Sequence, residues 1–434
     1  MFTSRRAGEL PPYVFSHIDS TLRDLRAREA GVIDLGRADP DQPAPPSVVA
    51  ELARSAARPE AHGYPPLPGL PRLRTAVARW YGQRHHVELD PDSEVLILLG
   101  SKEGLFHVPL AVCDPADVAL VPDPGFPAYR VGAYFAGAEV VSMPLRAEQG
   151  YLPDLGSLAP EVLRRARILY LNYPHNPTGA TAPLRFFSEA VALARRWGVL
   201  LCHDFAFGQS GYDGYRAPSI LEVEGARECA VEMISWSKTF CMSGWRLGAA
   251  VGNASAIAAL GEVESHIHSG VFAPIQVAGA VALEEVATSG FLVALNETYR
   301  ARRDTMLAAL HALGLQVRRS RATPFLWLGC PDGGPSAPYA NWLLERTGIA
   351  VTPGAVFGAG GEGFLRLSLT APTQQIEEAA ERLRRLGPQA LRHPAPELPP
   401  DLTRPLPASA AVARLASGPQ VQAESSEDTL LGCL

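Results

Sequence analysis

Short apolar runs alternate with amphipathic segments through the middle of the chain. Buried strands are predicted at residues 94–100, 118–123, 166–174, 198–205, 231–237 and 247–253. Between them lie helical segments such as residues 70–83, where Leu73, Val77 and Trp80 recur at helical spacing and predict an apolar stripe in the core. The alternation predicts an α/β fold with a mostly parallel central sheet flanked by helices.

The pattern changes after about residue 286. A helix near residues 296–313 is followed by candidate strands at residues 317–329 and 364–370, which predicts a smaller α+β unit. From about residue 388 the chain is rich in Pro, Ala and Ser without a sustained apolar period, so we expect a disordered tail. The predicted division is an N-terminal arm with part of the small domain (1–55), a large domain (56–285), a C-terminal small domain (286–388) and the tail (389–434).

Composition excludes several classes of function. With 434 residues and 47% hydrophobic content the chain can bury more than one core. A net charge of -6 gives no global attraction to nucleic acid or anionic lipid, and no uncharged run is long enough to span a bilayer or to form a signal peptide. Six cysteines without CxxC spacing suggest neither a metal site nor a disulfide framework. We expect a cytoplasmic protein without a nucleic-acid or membrane partner.

The chain contains only two lysines, Lys102 and Lys238, against thirty-seven arginines. Arginine cannot replace lysine where a deprotonated amine must attack a carbonyl, because the guanidinium stays charged. Lys238 lies in SWSKTFCMSGWRLG, where small hydroxyl residues precede it and Arg246 follows eight positions later. Lys238 is therefore a candidate Schiff-base residue.

An anion site is predicted where the first strong strand turns through Gly100 into a helix. Free backbone N–H groups and the positive end of the helix dipole meet there, and Ser101 adds a hydroxyl donor. The spacing matches neither the P-loop nor GxGxxG, which argues against a nucleoside triphosphate or a dinucleotide.

Two further polar residues are predicted at the same sheet edge. Asp204 ends an apolar strand, and its carboxylate suits either a protonated heterocycle nitrogen or an ordinary helix N-cap. Asn176 lies in the proline-interrupted loop 172–180 and can donate a side-chain hydrogen bond. Its neighbour His175 is interpreted as a structural residue.

The order of GSKEG, DPGFP, HNPTG, HDF, SWSK with its later arginine, and FLRLS resembles the pyridoxal phosphate-dependent class I and II aminotransferases of fold type I, over about residues 10–388. PPYVFSHID, HGYPPLPG, DGYRAPSIL and GVFAPIQVA resemble the subgroup that contains LL-diaminopimelate and alanine aminotransferases. The resemblance implies transfer of an amino group from an L-amino acid to a 2-oxo acid by a ping-pong mechanism. The implied substrates are LL-diaminopimelate, or alanine and glutamate.

The resemblance also implies roles for single residues. Lys238 would bind the cofactor covalently and move the substrate proton, Asp204 would hold the pyridine nitrogen protonated, Asn176 would bond the ring oxygen, and Phe126 would stack on the ring. The implied phosphate ligands are Ser101, the backbone of Lys102, Ser235, Ser237, Arg246 and, from a partner subunit, Tyr64. A homodimer with shared active sites follows from that tyrosine.

Arg366 matches the family arginine that pairs with the substrate α-carboxylate, with Gly36 and Asn176 beside it. One position departs from the family, since Phe207 stands where most relatives have a tyrosine whose hydroxyl bonds the ring oxygen. The missing donor is expected to raise the pKa of the linkage between lysine and cofactor.

Two alternatives remain open at this point. A carbon–sulfur β-lyase would use the same cofactor and lysine but break a different bond. A pyridoxal phosphate-sensing regulator would carry a DNA-binding module, and none is visible in the short segment before the resemblance begins.

Overall fold

The apolar runs pair into one seven-stranded central sheet in the computed structural model, which describes residues 2–10 and 31–387. The strands of the described chain are β1 (Ile33–Asp34), β2 (Val95–Leu98), β3 (Val118–Asp123), β4 (Glu139–Pro144), β5 (Ala166–Asn172), β6 (Leu200–Asp204), β7 (Ala230–Ser235), β8 (Gly248–Gly252), β9 (Phe325–Gly329), β10 (Ile349–Ala350), β11 (Thr352–Pro353) and β12 (Phe364–Ser368). The central sheet has the order β2-β8-β7-β6-β5-β3-β4, and within it only β8 runs antiparallel to its neighbours. The predicted α/β fold with a mostly parallel sheet is confirmed.

Helices pack on both faces of this sheet and also build a separate, smaller unit. They are α1 (Arg5–Gly8), α2 (Pro46–Ala56), α3 (Pro71–His85), α4 (Ser101–Val112), α5 (Pro127–Ala136), α6 (Pro160–Arg165), α7 (Leu184–Trp197), α8 (Trp236–Thr239), α9 (Ala254–Ser265), α10 (Ala273–Glu284), α11 (Phe291–Ala312), α12 (Ser336–Thr347) and α13 (Thr373–Leu386). Among the described helices none alone is long and apolar enough to cross a membrane, although Ala273–Thr288 and Phe291–Ala312, bent by 74°, meet the length and composition together.

Alternate strand residues feed two separate cores, one on each face of the central sheet. Ile97 in β2 packs in one core with Leu73 and Val77 of α3, whereas Leu96 and Leu98 pack in the other. This follows from the two-residue period of a strand, which sends neighbouring side chains to opposite faces. The predicted stripe on α3 is confirmed, with its third member, Trp80, only partly buried.

A third core builds the smaller unit. It combines residues 33–35 with α11, α12, α13 and the three-stranded sheet β11-β12-β9. The strand predicted at residues 317–329 was too long, and β9 begins only at Phe325. Thr323 has a φ of 67° and is followed by Pro324, and both interrupt a strand. The edge strand β4 was absent from the predicted runs, because it begins with an exposed glutamate and ends in proline.

The arrangement of the cores supports the division into a large and a small domain, whose boundaries remain our proposal. Within the predicted arm, Ile33 and Leu35 pack in the small-domain core, whereas Ala44 and Val48 pack in the large-domain core. The predicted tail, residues 389–434, lies outside the described residues, as does the PPYVFSHID segment.

The buried carboxylate of Glu232 connects the central sheet by hydrogen bonds to a neighbouring helix and loop. Glu232 in β7 is fully buried and accepts hydrogen bonds from Tyr81 Oη (2.6 Å), Ser219 Oγ (2.8 Å) and the Ile220 backbone N–H (3.0 Å), and it lies 2.7 Å from His203 Nδ1. Burial alone would raise the pKa of Glu232, but the contacts with His203 and Tyr81 bring it below its ordinary value.

Replacing Glu232 with alanine is expected to lower the free energy of unfolding by about 3 to 5 kcal/mol, because its buried partners lose their acceptor. The matched control is Glu228→Ala, whose side chain is 63% exposed and lies 3.0 Å from Arg195 Nε; exposed pairs contribute only about 0 to 1 kcal/mol. Urea denaturation followed by circular dichroism measures both changes. Equal unfolding midpoints for the two variants would contradict the role given to Glu232.

Candidate active site

A cavity of about 340 Å³ opens at the carboxyl ends of the parallel strands, where ligands of open α/β sheets bind. Ten of the residues assigned to cofactor or substrate binding line it: Ser101, Lys102, Phe126, Asn176, Asp204, Ser235, Ser237, Lys238, Arg246 and Arg366. The register of the sheet explains part of this, because Asn172 at the end of β5 pairs with Asp204 at the end of β6.

The short helix α8 places Lys238 in this cavity. It follows β7 directly, and the Ser235 hydroxyl caps it by accepting a hydrogen bond from the Ser237 backbone N–H (3.2 Å). Ser235 and Ser237 are both buried, and their side chains line the same wall as the lysine.

The environment of Lys238 lowers the pKa of its amine. Its side chain is 19% exposed, its Nζ donates a hydrogen bond to the Ala38 carbonyl oxygen, and the Asp39 carboxylate lies 3.8 Å from Nζ. Burial lowers the pKa of Lys238 to about 8; Asp39 opposes this shift, and Arg366 and Arg246 add to it. At a pKa of about 8, roughly one tenth of the amine is neutral at pH 7, far more than at the ordinary lysine value of 10.5, and that fraction can act as a nucleophile.

Asp204 presents a buried carboxylate to the same cavity. One oxygen accepts a hydrogen bond from Tyr129 Oη (2.6 Å), and the other accepts the Ala206 backbone N–H (3.1 Å). Burial raises the pKa of Asp204, while the hydrogen bonds from Tyr129 and Ala206 counteract the rise. A cationic N–H group in the cavity would complete the set of partners that such a carboxylate needs.

The turn from β2 into α4 forms the end of the cavity that suits an anion. Gly100 has a φ of 88°, a conformation that favours glycine, and its Cα lies against the guanidinium of Arg246. Arg246 donates to the Ser243 carbonyl (2.8 Å) and lies next to Ser101, the first residue of α4. Serine hydroxyls, a helix N-terminus and a guanidinium together are suited to a phosphate.

Arg366 joins the small unit to the cavity. From β12 its guanidinium donates to Asn176 Oδ1 (2.8 Å) and to the Gly36 carbonyl (2.7 Å). It lies over the rings of Phe325 (4.5 Å) and Phe357 (4.9 Å) and is 1% exposed. Burial removes water from the Arg366 guanidinium and lowers its pKa to about 9. A carboxylate that enters the cavity would compensate for the lost hydration of this cation.

Of the other residues singled out in the sequence, Gly36 and Tyr64 do not line the cavity, whereas Phe207 does. Gly36 reaches Arg366 through its carbonyl but does not line the cavity; from its loop, Ala38 and Asp39 do. Tyr64 is 89% exposed and is absent from the lining. Phe207, the departure from the family pattern, lines the cavity and packs edge-on against Phe325.

Three contacts at the site escaped the sequence interpretation, those of Ala38, Asp39 and Tyr129. Ala38 and Asp39 lie in a loop without a distinctive pattern, and Tyr129 is 75 positions from Asp204. Tyr129 does lie three residues after Phe126, on the same side of α5, a spacing that would have suggested proximity to the cavity.

His175 is fully buried with Nδ1 at 2.7 Å from Thr178 Oγ1, and burial lowers its pKa to about 3, which agrees with a structural residue.

The donor set fits pyridoxal phosphate. Phosphate donors lie at one end of the cavity, a carboxylate suited to a ring N–H lies near Phe126, and a lysine of lowered pKa lies beside them. An added Cβ at Gly248 would lie 2.4 Å from the Ser101 backbone N, so the backbone is closely packed behind the phosphate end. A hydride-transfer dinucleotide would instead need the glycine pattern that this turn lacks.

Comparison with known proteins agrees with this arrangement. The family model "Aminotransferase class I and II" matches residues 30–383. LL-diaminopimelate aminotransferase from Syntrophobacter fumaroxidans is 47% identical over 384 residues, which covers 88% of this chain and 98% of that protein. Substrate-bound BacF from Bacillus subtilis matches with a TM-score of 0.85 at 34% identity, covering 92% of this chain and all of that chain. A probable N-succinyldiaminopimelate aminotransferase from Thermus thermophilus matches with a TM-score of 0.80 at 38% identity, covering 86% and 99%.

In the cofactor-free protein, the rate at which trinitrobenzenesulfonate labels Lys238 is expected to rise with pH with a midpoint near the pKa of about 8, because only the neutral amine reacts. Mass spectrometry of the peptide that contains Lys238 measures the rate. In the denatured protein the same peptide should show a midpoint near the ordinary lysine value of 10.5. Identical midpoints in both states would contradict the lowered pKa.

Proposed function

This chain belongs to the class I and II aminotransferases, and from that membership we propose that it transfers the amino group of LL-diaminopimelate to a 2-oxo acid. It is a pyridoxal phosphate-dependent aminotransferase of fold type I. The observation that carries the site assignment is the meeting of Lys238, Asp204 and Arg366 in one cavity. The names of its relatives support LL-diaminopimelate over alanine or glutamate as the donor.

Each of these residues has a defined task. Pyridoxal phosphate, when bound, supplies an aldehyde that accepts the substrate amine and a protonated ring that withdraws electrons. Lys238 Nζ would hold the cofactor, and the lysine amine, once freed by the substrate amine, would take the proton from the substrate Cα as a general base. The Asp204 carboxylate would accept the ring N–H, and the Phe126 ring would pack against the cofactor ring.

Recognition of the substrate α-carboxylate falls to Arg366. Its planar guanidinium forms two parallel hydrogen bonds with a carboxylate, and the rings of Phe325 and Phe357 fix its plane. Asn176 accepts from Arg366 through Oδ1, which leaves its amide NH₂ to donate to the cofactor ring oxygen. The Gly36 carbonyl holds the second Arg366 nitrogen, so Gly36 acts on the carboxylate site through the arginine.

We also infer a homodimer in which Tyr64 reaches the partner's cofactor phosphate. Tyr64 is 89% exposed, and Ile267 (51%) and Phe272 (44%) are exposed apolar residues of a second segment. The two segments are neighbours, since an added Cβ at Gly270 would lie 2.9 Å from Pro65 Cγ. Large apolar side chains exposed together favour association with a second copy of the chain.

A cytoplasmic location is part of the same proposal. The cysteines within the described part of the chain (Cys113, Cys202, Cys229, Cys241 and Cys330) are free thiols. Free thiols are typical of proteins in a reducing compartment.

Purified enzyme is expected to form glutamate from 2-oxoglutarate in the presence of LL-diaminopimelate, at a higher kcat/KM than with alanine as donor. Chromatography of the amino acids measures the product. The β-lyase alternative predicts pyruvate from a cysteine conjugate without any 2-oxo acid. Pyruvate release without glutamate formation would contradict transamination.

Arg366→Gln tests the carboxylate site within the same assay. Loss of the charged pair is expected to lower kcat/KM for every donor roughly 30-fold or more, which corresponds to about 2 kcal/mol or more. The matched control is Arg246→Gln, which should weaken retention of the cofactor and leave KM for the donor near its original value once cofactor is saturating. If Arg366→Gln left kcat/KM unchanged, the substrate carboxylate would have to bind elsewhere.

A shared active site predicts complementation between two defective variants. Lys238→Ala lacks the catalytic amine, and Tyr64→Ala loses the phosphate contact that the partner subunit would supply. In a mixed dimer, one site combines Lys238 from one chain with Tyr64 from the other, so at limiting cofactor the mixture is expected to exceed the activity of either variant alone. Activity equal to the average of the two separate proteins would contradict a shared site.

A further inference from the structure

Tyr129, the hydrogen-bond partner of Asp204, lies outside the cavity lining but contacts a residue of the site. Tyr129 Oη donates to Asp204 Oδ2 at 2.6 Å, and both side chains are buried. We propose that Tyr129 is a positioning residue that holds the Asp204 carboxylate ionised and aims its free lone pairs at the cofactor ring nitrogen. This inference rests on the role of Asp204 in the proposed function.

The hydroxyl of Tyr129 is held in a fixed position. The ring is fully buried and stacks on Tyr170 with 4.8 Å between ring centroids and 16° between planes. Tyr170 lies in β5, and its hydroxyl donates to the Leu105 carbonyl of α4 at 2.9 Å, so only its ring contributes to the stack. Burial and stacking fix the ring and therefore the position of the phenol oxygen, 2.6 Å from Asp204 Oδ2.

The direction of the hydrogen bond decides its effect. Burial raises the pKa of Tyr129 well above its ordinary value, with the Asp204 charge adding to the rise, so the phenol keeps its proton and acts only as a donor to Asp204. A donor favours the ionised carboxylate over the protonated one. Tyr129 therefore opposes the effect of burial on Asp204, and the second oxygen is held by the Ala206 N–H (3.1 Å).

The first turn of α5 connects the contact between Tyr129 and Asp204 to Phe126, the residue proposed to stack on the cofactor ring. Tyr129 lies in the first turn of α5, and Phe126, its N-cap residue, contacts it edge-on with 5.8 Å between centroids. The start of α5 would thus set both the plane of the cofactor ring, through Phe126, and the charge opposite its nitrogen, through Tyr129 and Asp204.

Tyr129→Phe keeps the stacked ring and removes only the donor. In holoenzyme loaded with ¹⁵N-labelled pyridoxal phosphate, the ring-nitrogen chemical shift is expected to move toward that of the unprotonated pyridine, and its titration midpoint to fall. A fall of one pKa unit is a tenfold change in the protonation equilibrium. We expect kcat to fall roughly tenfold with KM changed far less, because the ring nitrogen acts in the chemical step.

Two reference variants, Tyr170→Phe and Asp204→Ala, and one rescue variant, Tyr129→His, show whether the change in the ¹⁵N shift is specific to the Tyr129 hydroxyl. Tyr170→Phe removes the hydroxyl of the other stacked tyrosine, which does not contact Asp204, and should leave the ¹⁵N shift unchanged. Asp204→Ala should move the shift at least as far as Tyr129→Phe. Tyr129→His offers a smaller N–H donor and is expected to recover part of the wild-type shift; this variant decides the matter if Tyr129→Phe does not fold.

The outcomes separate this inference from the proposed function. If Asp204→Ala moves the shift and Tyr129→Phe does not, Tyr129 has no positioning role, and the assignment of Asp204 stands. If Tyr129→Phe and Tyr170→Phe move it equally, the effect is one of packing and the inference is overturned. If Asp204→Ala leaves the shift unchanged, the proposed role of Asp204 fails, and the inference fails with it.

Discussion

The removal of water from around Lys238 is the constraint on which the rest of the site depends. A lysine amine can attack a carbonyl only after it loses its proton, and burial lowers the pKa of Lys238 to about 8. Arg366 and Arg246 strengthen the effect, and both are groups that an anionic substrate or cofactor needs. The same positive charges thus prepare the amine and would attract the anions.

The fold brings these groups together by topology. Parallel strands end at one edge of the central sheet, which places Asp204 at the end of β6 and Lys238 just after β7. The small unit supplies Arg366 from β12, and the loop that follows β1 supplies Ala38 and Asp39. Arg366 donates hydrogen bonds to both Gly36 and Asn176, so the proposed carboxylate site lies where the small unit meets the large one.

Much of this arrangement was predictable from the sequence. The apolar runs predicted the central strands, since buried parallel strands are continuously apolar, and the scarcity of lysine made Lys238 conspicuous. Contacts between distant segments were harder to predict. The spacing from Phe126 places Tyr129 near the cavity but does not pair it with Asp204, and nothing near Asp39 marks its approach to Lys238. The strand predicted at residues 317–329 formed only from Phe325 onward for a local reason, the positive φ of Thr323 before Pro324.

Borohydride reduction of the purified protein, followed by peptide mass spectrometry, tests the central claim most directly. Reduction fixes the cofactor to the lysine that carries it, and this chain offers only Lys102 and Lys238. The account predicts a phosphopyridoxyl group on the peptide containing Lys238 and none on the peptide containing Lys102. Modification of Lys102 alone, or of neither lysine after incubation with pyridoxal phosphate, would contradict it.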